Sequence, residues 1–162
     1  MPSKKKSIKE LLYGDKPNYS DMQMNYTEAD IIDSLTKLTN GKDTFMASKA
    51  IYCLGMLNSE KAIPALTFAT RSNDQVLKVA AAQALKNLTH IPEAVNLIKM
   101  LLTDPDIGVR RFALKAVGIS KLSDPQVQEI IKTLGGTEQS DKMKKLIQSV
   151  LDSMEDGGID TR

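Results

Sequence analysis

Ala62-Ile63-Pro64-Ala65-Leu66 decides how this chain is read, because it returns as Ala94-Val95-Asn96-Leu97-Ile98 and again as Val127-Gln128-Glu129-Ile130-Ile131. A recurrence about every 31 to 33 residues, with no strand-like alternation between copies, predicts a solenoid of stacked helix pairs. Working outward, Ala50, Ala81 and Ala113 recur at the same step, and Leu54, Leu85 and Val117 follow each of them four residues later. Each first helix therefore carries a small residue and a large aliphatic one turn apart, which lets neighbouring helices approach and interlock. Leu35, Leu66, Ile98 and Ile131 form one column of the second helices, and Leu38, Ala69, Leu101 and Leu134 form another. The segment Thr27 to Thr39 fits the second helix of a truncated first repeat.

Boundary signals agree with that register. Asp104-Pro105 and Asp124-Pro125 each put a capping acid before a proline at the first helical position. Asn73-Asp74, Asn58-Ser59 and Lys42-Asp43 are weaker starts, and Asn40-Gly41 and Gly135-Gly136 read as stops. The predicted helices cover residues 27–39, 43–57, 59–71, 74–88, 92–103, 105–120, 124–134 and 138–154. In the last, Met143, Leu146, Ile147, Val150 and Leu151 share one face, opposite Lys142, Lys144, Lys145 and Gln148, as suits a terminal cap. Three regions follow: a basic arm and linker (1–25), the repeat domain (26–154) and an acidic tail (155–162).

At 162 residues the chain is long enough for one continuous core, and its apolar residues are mainly Ala, Leu, Ile, Val and Met, with no Trp. A formal net charge of +2 is too slight to imply nucleic acid. The charge is unevenly placed, however. Lys4, Lys5, Lys6 and Lys9 crowd the start, while Asp152, Glu155, Asp156 and Asp160 load the end. Cys53 stands alone, so neither an internal disulfide nor a cysteine metal cluster can form. No apolar run approaches the roughly 20 residues that span a bilayer. Ile8, Leu11 and Leu12 are too interrupted for a signal-peptide core, so a cytoplasmic protein is expected.

The run Asp104-Pro105-Asp106-Ile107-Gly108-Val109-Arg110-Arg111-Phe112-Ala113, taken with Ala62-Ile63-Pro64-Ala65-Leu66, resembles the HEAT repeat family. The likeness is to the short subtype found in phycobilisome lyase subunits and many small prokaryotic proteins, and it covers about residues 27–154. It departs from the family pattern where Lys78 replaces Arg and where the later copies of the pentapeptide lack Pro. The resemblance implies an all-α, right-handed α-solenoid of about three and a half HEAT-like helix pairs with a C-terminal capping helix. It also implies that the second helices line a concave face.

Signs of catalysis are few. Some enzymes of this fold hold iron through repeated His-Glu dipeptides, whereas here His90 is the single histidine and Ile91 follows it. Cys53 sits on a core-bearing helix with nothing nearby in sequence to lower its pKa. Gly135-Gly136 lacks the Lys and Ser/Thr of a phosphate loop. No enzyme, cofactor or metal is expected.

The expected function is binding of another protein, as an adaptor, scaffold or assembly factor, through the concave second-helix face. Phe68 and Met100 occupy one column and could anchor a partner or simply widen the core. Asn96, Lys99 and Lys132 lie beside them, and Arg111 is one step round its helix from the cap-side Arg110. Asp74 with Lys78 and Asp106 with Arg110 are i, i+4 pairs, in which the basic residue serves structure more readily than a ligand. Pairing of exposed ends into a homodimer fits the incomplete first unit. Two alternatives come from other classes: an accessory subunit of a chromophore lyase-like system, and a nucleic-acid-binding repeat protein using Lys4, Lys5, Lys6 and Lys9.

Overall fold

The computed structural model describes residues 4–14 and 16–159, the last four of these by their backbone only. Within them the chain is all helical: α1 (Ile8–Leu11), α2 (Tyr19–Asn25), α3 (Glu28–Thr39), α4 (Thr44–Met56), α5 (Ile63–Thr70), α6 (Gln75–Leu85), α7 (Pro92–Leu102), α8 (Ile107–Ser120), α9 (Pro125–Thr137) and α10 (Asp141–Ile159). A 3-10 turn, Glu60–Ala62, leads into α5. From α3 onward the helices form two layers. The first helices α4, α6, α8 and α10 pack in sequence against one another, and α3, α5, α7 and α9 make the second layer. Each second helix packs on the first helix that follows it, and α10 ends the stack against α8 and α9.

The repeated alanines set the spacing of the first layer. Ala50, Ala81 and Ala113 are fully buried, as are Leu54, Leu85 and Val117. The approach is closest between α4 and α6, where a Cβ added at Gly55 would fall 2.6 Å from the Ala84 Cα. Leu35, Leu66, Ile98 and Ile131 close the core from the second layer. Burial of this continuous aliphatic seam is the main stabilising term, at about 25 cal/mol for each Å² of apolar surface removed from water.

Caps fall largely where the sequence places them. Asp43, Asp74 and Asp124 accept from the backbone N–H groups of Met46, Val76 and Val127 respectively. Several boundaries differ: α6 ends at Leu85 rather than at 88, α10 spans Asp141–Ile159 rather than 138–154, and two further differences have a visible cause. α8 starts two residues later than expected, capped by Asp106, whose side chain accepts from the Val109 N–H. Asp104 is thereby free to shape the turn, taking the Asp106 N–H at 3.0 Å. Gly135-Gly136 does not stop α9. The helix runs on to Thr137 and is closed by the Glu138 N–H donating to the Leu134 carbonyl at 2.9 Å.

The basic N-terminal segment differs most from an arm and linker. Ile8, Leu11, Leu12 and Met22 are all buried in the common core, and α1 and α2 both lie against α3. The Tyr26 hydroxyl donates to the Lys6 carbonyl at 2.6 Å, and the Lys5 ammonium sits 3.9 Å from the centre of the Tyr26 ring. These helices cover the apolar edge that a truncated first repeat would otherwise expose. Residues 1–3 and 15 of the segment lie outside the described residues, as do 160–162 of the acidic tail, Asp160 included; of that tail, 155–159 continue α10.

Candidate functional site: two exposed faces of the stack

The basic residues at the repeat turns bind structure together. Lys78 Nζ lies 2.6 Å from Asp104 Oδ2, reaching forward to the next turn rather than back to Asp74. Arg110 does the same one unit on: its Nε donates to Glu138 Oε1 at 2.7 Å, and a terminal nitrogen donates to the carbonyls of Asp104 and Pro105, both at 2.9 Å. The i, i+4 partners are instead used as helix caps. Because both pairs are largely shielded from water, each holds two repeats in register and leaves no charge for a ligand.

On the second layer, Phe68 and Met100 occupy equivalent positions of α5 and α7, and both remain uncovered, at 49% and 43% exposure. Asn96 and Lys132 are exposed nearby on α7 and α9. Lys99 is not available in the same way. Its Nζ donates to Gln126 Oε1 at 2.5 Å and lies 3.9 Å from Asp124 Oδ1, which ties α7 to the next turn. Arg111 is exposed but stands on α8, in the other layer, with its guanidinium 5.5 Å from the centre of the Phe112 ring. The six residues therefore do not form one patch.

The first layer holds a feature that repeat columns could not show. A groove of about 780 Å³ runs between α4 and α6, lined by Tyr52, Cys53, Met56, Val76 and Val79 and walled by Lys16, Pro17 and Tyr19 from the N-terminal segment. Two contacts hold that wall in place. The Tyr19 hydroxyl donates to the Met56 carbonyl at 3.2 Å, and Lys49 Nζ donates to the carbonyls of Leu12, at 3.0 Å, and Gly14. Tyr52, Met56 and Val76 are 40%, 45% and 54% exposed, large apolar groups left to solvent on one floor.

Two titratable groups that line the groove are shifted by burial. Burial pushes the Cys53 thiol up to about 12, and the nearby Lys49 ammonium offsets only part of this, so the sulfur stays protonated at neutral pH. Burial also raises the Tyr19 phenol, helped by Cys53 and Glu28. Among the described residues no three His, Cys, Asp or Glu side chains gather where a metal could bind. Nor is any described helix long and apolar enough to cross a membrane. Lys4, Lys5, Lys6 and Lys9 are exposed, the first three around a small cleft shared with Asp21.

Fold and surface together define a helical-repeat protein with large apolar side chains exposed on both layers. The HEAT repeats family matches residues 68–152, just over half of the chain, and the chain belongs to that family. HEAT repeats in general mediate protein–protein interaction. Over 128 residues the chain is 27% identical to Protein HEATR9 of Homo sapiens, a match covering 75% of this chain and 22% of the relative. Protein HEATR9 of Macaca fascicularis matches with the same identity and coverage. The chain thus spans about a fifth of the length of these curated relatives.

Proposed function

We propose that this chain is a non-catalytic protein-interaction module whose second-helix layer, centred on Phe68 and Met100, receives a segment or domain of another protein. The observation that carries the reading is the exposure of these two side chains at matching positions of adjacent helices, beside the buried columns of Leu66 with Ile98 and Ala69 with Leu101. An aromatic and a methionine set side by side supply the apolar centre that contact energy concentrates on. Asn96 and Lys132 give it a polar rim. The ordered turn pairs keep this surface pre-formed, so little conformational entropy is lost on binding.

The test is affinity capture from native extract with wild type beside a Phe68→Glu, Met100→Glu, Lys132→Glu triple variant, with folding verified by circular dichroism. A protein retained by wild type and lost by the folded variant is the expected result. Retention of every captured protein by the variant refutes the assignment of this layer. The exposed lysines of the N-terminal segment keep a nucleic-acid reading testable. It requires an affinity that falls steeply with salt and a slope that flattens on Lys4→Ala, Lys5→Ala, Lys6→Ala substitution.

A further inference from the structure

We infer that the groove between α4 and α6 is a second docking site, on the layer away from Phe68 and Met100, and that its occupant is an acidic amphipathic helix of another protein. Three observations lead there. First, its floor is apolar and its volume, about 780 Å³, falls within the size of formed binding sites. Second, its polar edge has one sign of charge. Lys16 and Lys49 line it and no described carboxylate does. Third, the same bias extends from α4 and α6 to α8. α4, α6 and α8 contain not one Asp or Glu, their acids being confined to the N-caps, and with Lys78 and Arg110 taken up by the turn pairs they still carry Lys49, Arg111 and Lys115.

The repeat register connects the groove to that charge. Val79 and Gln83 line the groove on α6, and the equivalent positions on α8 are Arg111 and Lys115. Both are exposed, and neither has an ion-pair partner among the described residues. They flank Phe112, with the Lys115 ammonium 5.3 Å from its ring centre. One surface thus passes from an apolar trough on α4 and α6 to a cationic shelf on α8. A matching partner places apolar side chains in the first part and carboxylates over the second.

Helical form follows from backbone chemistry. There is no strand edge among the described residues to pair with an extended peptide, and a mostly apolar floor cannot satisfy bare N–H and C=O groups. A helix brings its backbone bonds already made and offers anchors at i, i+3, i+4 and i+7. Spanning α4 to α8 means crossing two interhelical steps of about 8–10 Å each, or roughly 12 residues of helix at 1.5 Å per residue.

The probe is a library of 18-residue peptides with fixed Leu and Phe anchors at i, i+3, i+4 and i+7 and Glu or Lys at random elsewhere, selected on the full chain. Enrichment of Glu-rich members is expected. A synthesised winner should lose at least tenfold in affinity on Val76→Asp, and should weaken with a flattened salt dependence on Arg111→Glu, Lys115→Glu. Phe68→Glu, Met100→Glu should leave it unchanged. Both first-layer variants replace exposed residues, and circular dichroism confirms their folding. Enrichment of Lys-rich peptides, or indifference of the winner to Val76→Asp, overturns the inference. So does tighter binding of a single-stranded oligonucleotide that ignores Val76→Asp, or sedimentation showing that the groove instead pairs two copies of this chain. Loss of the winner through Phe68→Glu, Met100→Glu alone overturns it too, yet leaves the second-layer reading standing.

Discussion

Replacing Gly55 with alanine tests the close approach on which the first layer is built. An ideal Cβ there meets the Ala84 Cα at 2.6 Å and the Ala84 Cβ and O at 2.8 Å. Carbon atoms favour about 3.5–4.0 Å, so α4 and α6 must part by about 1 Å. Two of the three obstacles are backbone atoms, which no rotamer change can relieve. Overpacking of a tight core costs about 1–3 kcal/mol, and helix propensity returns at most about 1 kcal/mol for Gly to Ala. The clash with backbone places the net loss near 2 kcal/mol, a fall of roughly 4–8 °C in Tm for a domain of this size. Gly136→Ala is the matched control. Gly136 is also helical, in the last turn of α9, but nothing lies within 4 Å of its added Cβ. Its gain should be about 0.5 kcal/mol, with a Tm slightly above wild type. Thermal and urea unfolding of the three proteins measures both signs. A neutral or stabilised Gly55→Ala would refute the reasoning, since it would mean the two helices can separate at no cost.

Other outcomes follow from the same geometry. Glu138→Ala leaves the shielded Arg110 guanidinium with only its two carbonyl acceptors and should cost about 2–3 kcal/mol by urea unfolding, while the exposed Glu129→Ala should stay within about 0.5 kcal/mol. Cys53, with its thiol near 12 rather than 9.0, should hold about a thousandfold less thiolate at pH 8, so intact-mass labelling by iodoacetamide should be fast only in denaturant. The same raised value makes the folded state bind the thiol proton more tightly than the unfolded chain. Stability is therefore full below about pH 9 and declines toward pH 12, by up to about 1.4 kcal/mol per pH unit, a component that Cys53→Ala should remove.

The helices and their order were legible because the same small and large residues return at one step, and because Asp43, Asp74 and Asp124 announce starts by short-range capping. What escaped was whatever depends on non-local packing. Gly135-Gly136 looks like a stop locally, yet α9 continues because Glu138 closes it one residue beyond Thr137 and is fixed by Arg110 from α8. Asp104-Pro105 looks like a helix start, but Asp104 is committed to Lys78 and leaves the cap to Asp106. At the lysine-rich start, Ile8, Leu11 and Leu12 stand at helical spacing, but the surrounding charges fit a solvated tail as well as a packed helix, and only the contact with α3 decides for burial of these residues and Met22. Lys99 read as a free cation because its acceptors, Gln126 and Asp124, come from the next repeat. The first-layer groove needed the N-terminal segment brought against α4, though the lack of acids in three successive first helices was a signal present in the sequence.

Hydroxyl-radical footprinting, with the chain free and bound to a protein it captures, tests the interaction account most directly. The account predicts that oxidation of Phe68 and Met100 slows several-fold in the complex, while Met24, exposed on α2 and not among the residues that line the groove, is unchanged. Equal oxidation of Phe68 and Met100 in free and bound protein would contradict the claim that the second-helix layer receives the partner.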